Sequence, residues 1–64
     1  MENYNFFERK AGNKTVYCFQ FTTDENVATG QRGLFNIYGF TFINVFVRKE
    51  GEYYVIESYE PLKK

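Results

Sequence analysis

The sequence predicts an all-β fold, a small antiparallel sheet or partly open barrel of four or five strands. Apolar residues recur with a period of two rather than 3.6 over most of the chain. Aromatic residues, which favour strands, make up 22% of it, with eight Phe and six Tyr. Polar segments that contain glycine interrupt this pattern at short intervals, as turns do. Sixty-four residues are enough for one small domain, which we place at residues 1–64.

The first two predicted strands form a hairpin. Residues 4–9 and 15–23 have the composition of strands. Between them, Gly12 and Asn13 readily supply the positive φ angles of a tight turn. One face of the second strand is aromatic and carries Tyr17, Phe19 and Phe21.

Residues 24–32 break the alternating pattern and separate two strand-rich halves. We predict a loop here because polar and small residues predominate. A single helical turn is the alternative, since Thr22 and Glu25 have the spacing of a capping box and Gly30 could end the turn.

Residues 34–48 are too long for one strand of a small sheet, because they would span roughly 50 Å at about 3.3 Å per residue. We therefore predict a bend at Gly39, which divides the segment into strands 34–38 and 40–48. Both faces of the second strand are apolar, so we expect a central strand that is covered on both sides. Phe40, Phe42 and Phe46 lie on one predicted face, and Ile43, Val45 and Val47 lie on the other.

A second hairpin completes the predicted sheet. Lys49, Glu50 and Gly51 form a polar turn, residues 53–59 form the last strand, and Pro61 ends it. We expect the last strand to pair with residues 40–48. The predicted core consists of Phe19, Phe21, Leu34, Ile37, Phe42, Ile43, Val45, Val47, Val55 and Ile56.

Several classes of chemistry lack the residues they need. The chain has no histidine and one cysteine, which excludes a disulfide framework, the usual zinc ligand sets and a histidine general base. Gly30 and Gly33 flank an arginine, but without the spacing of a phosphate-binding loop. We therefore predict a protein that is not an enzyme and has no catalytic residues, metal or cofactor. Cys18 is expected to be a small buried apolar residue.

The N-terminus has no basic segment followed by an apolar run, and no stretch is long and apolar enough for a membrane helix. These observations predict a cytoplasmic protein with no membrane contact.

Recognition of another protein is the predicted function. A short chain rich in Tyr and Phe can gain stability by pairing with a partner, and self-association as a homodimer meets that need. The candidate partner-binding residues are Tyr53, Tyr54 and Tyr59 as anchors and Arg32 and Arg48 as charges at the rim.

The richness in Asn, Lys, Phe, Tyr and Glu is compatible with an AT-rich genome. Together with the small size, it suits a phage or mobile-element product that inhibits a host protein.

Binding of single-stranded nucleic acid is the alternative. Aromatic rings on an open sheet face can stack on bases, provided that a basic groove follows the phosphates. The formal net charge is zero, and the basic clusters have acidic neighbours, Glu8 beside Arg9 and Glu50 beside Lys49. Composition and pattern leave open the identity of the partner, the oligomeric state, the strand order, the exposed face and the order of residues 24–32.

Overall fold

The structure, a computed structural model, describes residues 3–62 and contains a five-stranded antiparallel sheet. The all-β prediction is confirmed, and the described residues form no helix, so the alternative of a helical turn near residue 25 is wrong. The strand order is β1-β2-β5-β4-β3. The strands are β1 (Tyr4–Ala11), β2 (Lys14–Phe21), β3 (Gly30–Ile37), β4 (Phe40–Glu50) and β5 (Tyr53–Ser58).

Short turns connect three pairs of strands. The predicted turn at Gly12 is confirmed, with φ +67° at this glycine, and β4 pairs with β5 as predicted. The expected bend at Gly39 is instead a full reversal of the chain. Tyr38 and Gly39 have φ angles of 54° and 81°, and two successive positive values are typical of a two-residue hairpin turn.

The bend in this hairpin lies at Asn44. This residue has φ +58° in the interior of β4. The ladder pairs Arg32 with Val45 and Leu34 with Ile43, whereas Gly33 and Asn44, the residues between them, are unpaired. A left-handed residue changes the direction of the strand and shifts the alternation of its side chains.

The shift changes which residues of β4 face inward. Phe42 is buried, and the next buried residues are Val45 and Val47. Ile43 and Phe46 therefore both point outward. The prediction that Phe46 shares a face with Phe40 and Phe42 is wrong, because it assumed an unbroken alternation.

The sheet curls so that its inner face encloses the core. Tyr4 and Phe6 of β1 reach Phe40 of β4, with ring centroids 5.3 and 5.6 Å apart, in edge-to-face contacts. β1 and β3 form no strand pairing, so the sheet stays open along this side. The main core cluster consists of Phe19, Phe21, Phe42, Val45, Val47, Tyr54 and Ile56.

Two predictions about buried residues need correction. Leu34 and Ile43 are exposed rather than buried. Val55 is buried as predicted, and it belongs to a small cluster on the outer face with Val16 and Cys18. The expectation that residues 40–48 are covered on both sides is also wrong, because the outer face of β4 stays open to solvent.

Candidate interaction surface

Three large apolar side chains are exposed on the outer face of the β3–β4 hairpin. Leu34, Ile43 and Phe46 have relative exposures of 60%, 65% and 48%. Leu34 lies directly opposite Ile43 in the ladder, so their side chains are neighbours. We call these three residues the outer patch. Single exposed apolar residues are common, whereas a contiguous apolar patch of several hundred Å² is often functional.

A groove of about 420 Å³ adjoins the outer patch. Phe46 belongs to both, and Tyr59 is a second exposed aromatic residue in the groove. The groove lies where β4 separates from β5, since their pairing ends at Phe46 and Glu57. The remaining lining residues include Arg9, Ala11, Val16, Gln31, Asn44 and Ser58.

Charged side chains beside the groove neutralise one another. The Glu57 carboxylate accepts hydrogen bonds from Arg9 and from Nε of Arg48, the latter at 3.1 Å. Arg48 also donates through Nη1 to Glu50 at 2.7 Å, and hydrogen bonding to Glu50 is the main cause that raises the pKa of Arg48. Such partly exposed pairs contribute little to stability. Their main effect here is to neutralise Arg9 and Arg48, whereas the Lys14 ammonium lies over the Tyr59 ring, 5.1 Å from its centroid.

The predicted anchors lie in different surroundings. Tyr53 and Tyr59 are exposed, as a surface anchor must be. Tyr54 has 6% of its surface exposed and stacks on Phe21 with ring centroids 5.5 Å apart, so it is a core residue and not a surface anchor. Its hydroxyl accepts a hydrogen bond from the backbone N–H of Val27, which holds the 22–29 segment over the core.

The two predicted rim charges also differ from each other. Arg48 is half-buried and engaged with Glu57 and Glu50. Arg32 is half-buried on β3 at the position paired with Val45, which belongs to the inner face. The structure therefore does not bring the five predicted residues together into one surface.

Sequence periodicity did not predict the outer patch, because it places Leu34 and Ile43 in the core. One signal could have identified it. If Tyr38 and Gly39 form a two-residue turn, then counting back along both strands places Gly33 opposite Asn44. Glycine and asparagine tolerate left-handed conformations better than other residues, so this pair marks the place where the alternation shifts.

Four of the aromatic rings that could stack on bases are in the core. Phe19, Phe21, Phe42 and Tyr54 are all buried on the inner face. Stacking of bases would have to use the outer rings instead, whose neighbouring arginines are paired with carboxylates. Binding of single strands requires a basic groove, and Arg9 and Arg48 on this face are neutralised by Glu57 and Glu50.

Cys18 is a free and buried thiol on the outer-face side of β2. Burial is the main cause that raises its pKa above the ordinary 9.0, and the nearby Glu57 carboxylate acts in the same direction. Arg9 and Arg48 oppose this effect. The thiol is therefore neutral and poorly nucleophilic near neutral pH.

The raised pKa of Cys18 predicts a loss of stability in alkali. The unfolded thiol ionises near 9.0, whereas the folded thiol resists ionisation. Its contribution is thus fully present below that pH and is lost as the pH rises through the folded pKa. Between about pH 8 and about pH 10.5, we expect the free energy of unfolding to decrease more in the natural protein than in Cys18→Ala. Urea unfolding at both pH values measures this, and equal falls in the two proteins would contradict it.

Within residues 3–62, no group of three acidic or cysteine side chains is arranged to hold a metal ion. The same part of the chain contains no helix long and apolar enough to cross a bilayer.

Comparison with known proteins finds no family model, no curated protein and no solved structure that matches this chain. The geometry of the outer face is therefore the basis for a functional assignment.

Proposed function

We propose that this protein is a non-enzymatic interaction module that binds another protein through the outer patch and the adjoining groove. The observation that carries the proposal is the exposure of Leu34, Ile43 and Phe46 on one face, where no other part of residues 3–62 covers them. Apolar side chains gain free energy when they leave water, at about 25 cal/mol per Å². A partner that covers the outer patch supplies this gain.

The groove adds specificity to the apolar contact. Phe46 and Tyr59 provide aromatic surface, and Tyr residues can also donate a hydrogen bond from the hydroxyl. The paired charges of Arg9, Glu57 and Arg48 lie beside these rings. An apolar centre with a polar rim is the usual anatomy of a protein interface. Binding of this kind needs no catalytic group, and it is how a phage or mobile-element inhibitor would block a host protein.

Site-specific photo-cross-linking tests the proposal. A photoreactive residue replaces Ile43 in the full chain, and the matched control carries it at Asn26, which is exposed in the connection between β2 and β3. In extracts of the source cells, we expect cross-links to a defined protein from position 43 and not from position 26. An excess of the natural protein, which carries no photoreactive residue, should compete for the partner and abolish these cross-links. Phe46→Ser should compete at least about tenfold less well, since buried aromatic anchors dominate interface energies.

Phe7→Ser is the matched control competitor, because Phe7 is also an exposed ring but lies on β1, outside the outer patch. It should compete as well as the natural protein. Equal cross-linking from both positions, or equal competition by both variants, would overturn the assignment of the surface. Cross-links from position 43 that a nuclease removes would instead assign this face to nucleic acid.

A further inference from the structure

The outer face of the sheet carries more positive than negative charge. The ladder places Cys18, Glu57 and Phe46 side by side on this face, and every second residue along each strand shares it. The two arginines on this face are paired with its two carboxylates, which leaves one lysine in excess. These charged residues are Arg9, Lys14, Arg48, Glu50 and Glu57.

The excess cation, Lys14, lies beside the groove. Its Nζ is 5.1 Å from the centroid of the Tyr59 ring, which lines the groove. Its partner in the ladder, Ala11, lines the same space. Among residues 3–62, the ion pairs involve Arg9 and Arg48, and none includes Lys14. The ammonium group of Lys14 is therefore available to an anionic group of a partner.

The backbone beside the groove suits an extended polypeptide. β5 pairs with β4 only from Phe46 onwards, so residues 40–45 of β4 have no strand on that side. No backbone hydrogen bond within the described part of the chain joins them to the segment after β5. A second cavity of about 300 Å³ lies between this stretch and residues 58–62, and it shares Asn44 and Ser58 with the groove. Unpaired strand backbone along an elongated space is a typical site for an extended peptide.

We propose that the groove binds an extended, acidic segment of a partner protein, with a carboxylate side chain at Lys14 and an apolar side chain on Phe46. This inference rests on the proposed function, because it names the chemistry of the partner for the same surface. The carboxylate balances the excess positive charge of the outer face. Glu60 lines the second cavity and would repel a carboxylate there, so the acidic residue of the segment lies at the groove.

A nucleic-acid backbone would also be attracted to Lys14, but two observations favour a protein segment. Leu34 and Ile43 are aliphatic, so this part of the outer patch offers no ring on which a base could stack. Arginine binds phosphate with the most specific geometry, and both arginines of the outer face are engaged by carboxylates. The surface therefore fits apolar and acidic side chains better than bases and phosphates.

NMR titration of the isotope-labelled full chain with capped tetrapeptides tests the proposal. One peptide has the sequence Glu-Leu-Ser-Leu, and two others carry Gln or Lys in place of the Glu. At neutral pH and low salt, we expect the Glu peptide to shift the amide resonances of Phe46 and Tyr59. Its Kd should be at least about threefold below that of the Gln peptide, because opposite charges attract across the contact. The Lys peptide should bind more weakly than both.

Lys14→Glu should reverse this order, so that the Lys peptide binds best. Lys10→Glu is the matched control, because it changes the net charge equally at an exposed lysine of the same hairpin. Lys10 is adjacent to Arg9 on β1 and so points to the opposite face, where its Nζ donates to Oγ1 of Thr15 at 3.0 Å. This variant should keep the order of the peptides, with each Kd within about twofold of the natural value. Thermal unfolding should show that both variants are folded, since both lysines are exposed.

Equal affinity for the three peptides, or no shift at millimolar concentration, would overturn this inference. Equal effects of the two variants would also overturn it. Specific cross-links from position 43 to a protein would then still support the proposed function. A single-stranded oligonucleotide that binds the same residues more tightly than the Glu peptide would assign the groove to nucleic acid and would overturn the inference as well.

Discussion

Phe19→Ala is expected to lower the free energy of unfolding by about 3 to 5 kcal/mol. Phe19 has no exposed surface and lies at the centre of the inner face. Truncating it removes a large apolar side chain from the core and leaves a cavity that the surrounding sheet cannot fill. Five rings lie with their centroids 4.6 to 5.7 Å from that of Phe19, namely Tyr4, Phe6, Phe21, Phe40 and Phe42.

Chemical denaturation followed by circular dichroism measures this loss. A domain of this size has a total stability of only roughly 3 to 10 kcal/mol, so Phe19→Ala can remove most of it. Phe19→Leu leaves a smaller cavity and should remain folded with a loss of about 1 to 2 kcal/mol. Phe7→Ala, at an exposed ring, should cost less than about 1 kcal/mol. If the two alanine variants lost equal stability, the assignment of the inner face as the core would be wrong.

Asn44→Val is expected to destabilise the protein by about 2 kcal/mol. Asn44 has φ +58°, where a β-branched side chain collides with its own backbone. A regular extended conformation would relieve this collision. It would also restore the unbroken alternation of β4, turning Phe46 inward and Val45 and Val47 outward. Neither alternative preserves the packing that the protein has.

Asn44→Gly is the matched control, because glycine adopts positive φ without strain and removes the same amide group. Its stability should stay within about 0.5 kcal/mol of the natural protein, as judged by urea unfolding. Equal loss in the valine and glycine variants would show that the amide, and not the backbone conformation, is what matters at this position. No loss in the valine variant would contradict the role of the left-handed residue altogether.

The candidate surface was only partly accessible to prediction. Tyr53 and Tyr59 are exposed, as expected of anchors, but Tyr54 is buried. Both alternating faces of residues 53–59 contain apolar side chains, so periodicity could not indicate which face is inner. The pairing of Tyr54 with Phe21 across β2 and β5 decides it. Residues far apart in sequence make that contact, and no local pattern contains it.

The sequence by itself determined the all-β class and the turns at Gly12 and Gly51, because period-two patterning and glycine conformations are local properties. The tertiary structure decided the strand order, the curl of the sheet and the identity of the inner face. It also decided the exposure of Ile43 and Phe46, which sequence periodicity assigned to opposite faces of β4. The physical reason is that one left-handed residue, Asn44, shifts the alternation of β4. Every later side chain of this strand therefore points to the opposite face of the sheet from the one that an unbroken alternation predicts.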